Sequence, residues 1–147
     1  MYFVVITVGL AVVVYFVGGI SRQVSPIQSY EYQGSINELV GDIRNYTKIK
    51  SKGQYFITDT VGKIPDDYAI RLTIKLENKN HLIEYGLKIE PQGDTTIPIK
   101  TNVYLTEAYS ETTNSGGYQT ESAGIKPLVD FFNSDFLSNV KKINAVN

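Results

Sequence analysis

Hydrophobic and polar positions follow four successive regimes along the chain. From Met1 to Ile20 no side chain is charged, and twelve of the twenty residues are Val, Ile, Leu or Phe. From about Ser29 onward the pattern becomes amphipathic, first with helical spacing, then with a long period of two, then with helical spacing again. Ser35-Ile36-Asn37-Glu38 forms a capping box, and Ile36, Leu39, Val40 and Ile43 follow at helical intervals. This predicts a helix from Ile36 to about Asn45, with a further turn possible through Ile49 and an end at Gly53.

The β pattern comes next. A strand is predicted over Ile27–Gln33, ahead of the helix, and another over Gln54–Val61. Tyr68, Ile70, Leu72, Ile74 and Leu76 alternate with Ala69, Arg71, Thr73 and Lys75, as a half-buried antiparallel strand requires. Asn78-Lys79-Asn80 predicts a reversal, after which Ile83, Tyr85, Leu87 and Ile89 alternate with Glu84, Gly86, Lys88 and Glu90. Thr95–Ser110 alternates again through Ile97, Ile99, Val103 and Leu105, as one bent strand or two, with Pro98 marking an edge or bulge. Thr112–Gly117 reads as a loop and Tyr118–Glu121 as a short last strand. Leu128, Val129, Phe132, Phe136, Val140 and Ile143 then recur at gaps of three or four, which predicts a C-terminal helix with Pro127 in its first turn. The expected fold is α+β: an N-terminal transmembrane helix, then an antiparallel curved β-sheet packed on a long C-terminal α-helix.

The organisation follows as an anchor at 1–21, a linker at 22–28 and one domain at 29–147. Twenty helical residues span about 30 Å, the thickness of a bilayer's hydrocarbon core. Their Val, Leu, Ile and Phe residues favour insertion by roughly 4–7 kcal/mol. A cleaved signal peptide would carry a basic residue ahead of the apolar run, and here none stands there. A buried segment is the other alternative, since valine favours strands in water. Arg22 is the nearest flanking charge, and with Arg44, Lys48, Lys50 and Lys52 beyond it the positive-inside rule leans toward a cytosolic domain.

Composition narrows the chemistry. The 147 residues include no cysteine, one histidine and a net charge of −1. Thiolate metal sites, disulfides and a Cys nucleophile are excluded, and a nucleic-acid partner is not expected. His81, beside a turn, reads as a solvated residue, and no nucleophile elbow, phosphate loop or dinucleotide fingerprint occurs. No enzymatic activity and no cofactor are expected. Among carboxylates, Glu107 stands out because the alternation Val103, Leu105, Glu107, Tyr109 puts it in the apolar phase. Pointing into a pocket, it would bind a polar group; near a strand end, it would face water. Asp59, between Ile57 and Val61, invites the same two readings. The turn acids Asp66, Asp67 and Asp94 lack the spacing of a calcium loop. The bases Arg44, Lys48, Lys50 and Lys52 read as a solvated helix end or as a contact with anionic lipid.

The order of elements resembles the START-like, or helix-grip, superfamily (SRPBCC). The local likeness lies in Ser35–Tyr46, similar to the first helix and turn of those domains, and in Phe131–Ile143, similar to their C-terminal helix. The usual small-Pro pair before the first helix and the tryptophan near Tyr46–Ile49 are absent. The resemblance implies a cavity between sheet and helix that holds an apolar or lipid-like ligand. Its lining would be Ile70, Leu72, Ile74, Tyr85, Leu87, Val103, Leu105, Glu107, Phe132 and Phe136, residues that serve equally as a solid core. The expected partners are therefore membrane lipid along Met1–Ile20, an apolar ligand and other members of a membrane complex. The alternative function is an assembly subunit, with Gly9, Ala11, Gly18 and Gly19 permitting close helix contact. A pilin-like filament is its sharpest form, although Val5 stands where a pilin pattern has Glu and Pro26 interrupts the spine.

Overall fold

A computed structural model describes residues 25–50, 52–63, 67–92 and 99–146. The predicted anchor, Met1–Ile20, lies outside the described residues, as do Asp66, Asp94 and Pro98. Among the described residues no helix is long and apolar enough to cross a membrane.

Seven strands form one antiparallel sheet: β1 (Gln28–Tyr32), β2 (Gln54–Lys63), β3 (Asp67–Asn78), β4 (His81–Pro91), β5 (Thr101–Ser110), β6 (Ser115–Gly117) and β7 (Ile143–Val146). Their order is β2-β3-β4-β5-β1-β7, with β6 also paired to β5. Helix α1 (Ile36–Lys48) follows β1. Helix α2 (Ile125–Phe131) runs into a π-helical segment (Phe132–Phe136) and a last turn, α3 (Leu137–Asn139). The α+β class and the antiparallel sheet gripping a C-terminal helix agree with the sequence pattern.

The capping box at the start of α1 is formed in both directions. The Ser35 hydroxyl accepts the Glu38 amide at 3.3 Å, and the Glu38 carboxylate accepts the Ser35 amide at 2.8 Å. Ile36, Leu39, Ile43 and Tyr46 are buried on one face of this helix. The hairpin between β3 and β4 turns on Lys79 and Asn80, both at positive φ, with Asn78 opposite His81. That is the twist-matching geometry of a two-residue hairpin.

The buried stripe of the C-terminal helix is Ile125, Leu128, Phe132, Phe136 and Val140. Its last three gaps are all four residues, and each overshoots an α-helical turn by about 40°. A regular helix would swing Val140 well off the core. The wider π turn at Phe132–Phe136 absorbs this drift and keeps all five residues facing the sheet.

Three expectations are corrected. The C-terminal helix does not reach Ile143: Val140 is already extended, Lys142 takes a left-handed φ of 69°, and Ile143 pairs with Tyr32 in β7. The gap from Val140 to Ile143 also fits a helix, so spacing alone does not separate the two outcomes. The short strand after β5 is Ser115–Gly117, within the expected loop, while Tyr118–Glu121 forms turns and bends. Finally, β5 does not keep one phase. Gly86 faces Glu107 but Leu87 faces Leu105, so Thr106 is an extra residue, a β-bulge. Beyond it Ala108 and Ser110 are buried, and Glu107 and Tyr109 change to the outer face.

Candidate functional site

Between sheet and helix the space is filled by rings. Phe132 stacks on Phe136 with centroids 4.4 Å apart and lies 4.8 Å from Tyr85 and 5.7 Å from Tyr30. Tyr46 and Phe136 meet edge to face, with centroids 5.3 Å apart. Nine of the ten residues expected to line a ligand cavity lie here: Ile70, Leu72, Ile74, Tyr85, Leu87, Val103, Leu105, Phe132 and Phe136. All are buried in one continuous cluster.

The phenols in this core have specific acceptors. Tyr85 donates to the Leu128 carbonyl at 2.8 Å, Tyr30 to Asn133 at 2.6 Å, Tyr46 to Asp135 at 2.7 Å and Tyr32 to Asp42 at 2.8 Å. Asp135 is also held by the Lys50 ammonium at 2.6 Å. Burial pushes the phenols of Tyr30, Tyr46 and Tyr85 far above their ordinary range, with the Asp135 charge adding to the effect at Tyr46 and Tyr85. No buried side-chain polar atom is left without a partner among the described residues. The arrangement locks the helix onto the sheet.

The tenth residue, Glu107, is elsewhere. The bulge at Thr106 puts it on the outer face, opposite Gly86. A methyl group at Gly86 would lie 3.0 Å from the Glu107 Cβ, so the glycine makes room for this side chain. Glu107 lines a groove of about 460 Å³ with Tyr109, Gly116, Gly117, Tyr118, Gln119 and Ser122. Tyr118, itself 61% exposed, stands near enough to act on the carboxylate. Partial burial pushes the Glu107 carboxyl up; the Tyr118 hydrogen bond opposes that shift, Glu84 reinforces it and Lys75 counters it.

The position of the groove follows from the sheet's edges. Along one side of β5, β1 pairs only as far as Leu105, opposite Gln28, and β6 begins only at Ala108, opposite Gly117. Neither register puts a residue opposite Thr106 or Glu107. An isolated glycine in an alternating strand, here Gly86, was the available sequence signal for such a bulge.

A second feature lies on β2, at the end of the sheet. Phe56, Ile57 and Val61 are 47%, 49% and 60% exposed, and no strand pairs with the free side of β2 among the described residues. Asp59 sits among them, exposed and opposite Arg71. The basic residues in and after the second half of α1 do not form a single patch. Lys50 is bound to Asp135, Lys52 reaches Glu77 at 3.2 Å, and the Arg44 Nε donates to the Tyr55 hydroxyl at 2.9 Å. His81 is exposed at the start of β4. Among the described residues, no three His, Cys, Asp or Glu side chains gather as a metal site. No family model, curated protein or solved structure matches this chain.

Proposed function

We propose that this protein is a non-enzymatic, single-pass membrane-anchored interaction domain that self-associates through the free edge of β2. The observation that carries this reading is the run of exposed Phe56, Ile57 and Val61 on a strand whose outer edge meets no other strand among the described residues. Such an edge presents open N–H and C=O groups and normally invites another strand. The sequence of β2 is compatible with its own two-fold copy. With Thr58 opposite Asp59 of the copy, Phe56 faces Val61 and Ile57 faces Thr60. No like charges then stand opposite each other, and each pair shares one face of the sheet, as an isologous contact requires.

The anchor at Met1–Ile20 contributes by confinement. Chains held in one bilayer meet at a raised effective concentration, so a modest strand-to-strand contact is sufficient. Arg22 leans the domain toward the cytosolic side. The strand, helix, antiparallel meander and gripping helix support a helix-grip reading of the domain, with β7 as an addition after the helix. A lipid-like ligand between sheet and helix is the weaker reading, because it would have to displace the stacked Phe132 and Phe136.

The chain's lack of cysteine makes the test simple. Phe56→Cys and Val61→Cys chains are co-expressed in one membrane and oxidised mildly. A mixed disulfide dimer is expected, well above the background of a Val146→Cys control on the opposite edge. Cross-linking no greater than that control overturns the β2 contact.

A further inference from the structure

We propose that the outer-face groove at Glu107 is a binding site for an organic ammonium group, carried by a small amine or by a lysine side chain. The inference is independent of the β2 contact, which lies at the far edge of the sheet.

The first ground is charge. The groove lining contains a carboxylate, two phenols, an amide and a hydroxyl, and neither lysine nor arginine. Among the described residues Glu107 makes no ion pair. The cation that acts on it, Lys75, is already held by Glu84 at 2.6 Å and Glu111 at 3.2 Å. A part-buried carboxylate with no counter-charge disfavours an anionic ligand and gains from a cationic one.

The second ground is shape. Tyr109 and Glu107 are two residues apart beyond the bulge and therefore share the outer face, and Tyr118 lines the same groove. The Tyr109 hydroxyl is tethered to Asn114, which fixes its ring. Aromatic faces beside a carboxylate suit an ammonium, which is drawn both to the charge and to the ring electrons. Gly116 and Gly117 bring no side chain into the groove. Their φ values of 102° and 150° lie where other residues are strained; a Cβ at Gly117 would lie 2.8 Å from the Ser122 Oγ on the groove wall, whereas one at Gly116 would run into the Ala108 carbonyl and Leu128. A groove of about 460 Å³ is the size of a small-molecule site.

The test is an NMR titration of the full chain in detergent micelles with n-butylammonium, choline, propionate and glucose. Saturable shifts at the Gly116, Gly117, Tyr118 and Gln119 amides are expected with the two cations and not with propionate or glucose. Glu107→Gln keeps the side chain's shape and should weaken butylammonium binding by about tenfold or more. A lysine-bearing tetrapeptide that binds more tightly than butylammonium assigns the group to a peptide, and equal binding assigns it to a small amine. Glucose shifting these amides in place of the cations overturns the proposal. So does undiminished butylammonium binding by a Glu107→Gln chain whose spectrum remains folded.

Discussion

Tyrosine does two different jobs on the two faces of this sheet. On the inner face Tyr30, Tyr46 and Tyr85 are buried, packed against Phe132 or Phe136, and each hydroxyl ends on a defined acceptor. On the outer face Tyr109 and Tyr118 flank an open groove around a single part-buried carboxylate. The ring is the same, but its surroundings decide whether it holds the fold or presents a surface. Each inner hydroxyl already has a hydrogen-bond partner; the outer set has the exposed ring of Tyr118 and a carboxylate that makes no ion pair among the described residues. The two proposed contact surfaces, the groove and the β2 edge, accordingly lie outside this filled core.

The largest way to break this contrast is Phe132→Ala. If the inner rings form a solid core, the change costs about 3–5 kcal/mol in urea denaturation of the full chain in a non-ionic detergent. A loss below about 1 kcal/mol would mean that the helix rides over a space, and would revive the internal ligand.

Alkaline titration comes next. The folded pKa values of Tyr30, Tyr46 and Tyr85 are raised, so these groups stay protonated in the folded state while the unfolded chain releases its protons near pH 10. Their contribution is fully present below that pH and is lost as pH rises through the folded values. Above about pH 10 the expected slope is about 1.4 kcal/mol per pH unit for each tyrosine, against a flat baseline from these groups below it, read from urea midpoints. A flat curve would place these phenols in contact with water.

Tyr85→Phe is smaller. The Leu128 carbonyl also accepts the Phe132 amide, so the lost partner does not leave it orphaned, and the cost should be about 1 kcal/mol. Glu107→Gln is the smallest. It removes a part-buried charge with no ion pair among the described residues, so stability should change by less than about 0.5 kcal/mol. A drop of several kcal/mol would give Glu107 a structural role and merge the two faces into one.

Much of the inner face was legible in the sequence. The alternation of Ile70 to Leu76 and of Ile83 to Ile89 states which side faces inward, because side chains alternate across a strand. The capping box marks the start of α1 through local hydrogen bonds. The gaps of four from Leu128 to Val140 carry the helix and, in retrospect, its π turn. Ile143 was misplaced because a four-residue strand that pairs with β1 leaves too little pattern to separate it from one more helical turn.

The candidate site was the least legible part. Glu107 drew notice for its place in the apolar phase, yet one bulged residue reverses that phase. A side-chain period of two has no memory across an inserted residue. Its partner Gly86 lies 21 positions earlier in the chain, and the groove's other walls come from Tyr109, from β6 and from the residues that follow it.

By itself, the sequence determined the local elements, their apolar faces and the need for a helix to cover the sheet, because those follow from periodicity and capping within a few residues. Only the tertiary structure decided which strands border β5, where β1 stops and β6 begins, and that Glu107 faces outward. Those outcomes depend on cross-strand register between distant segments, which no local pattern encodes.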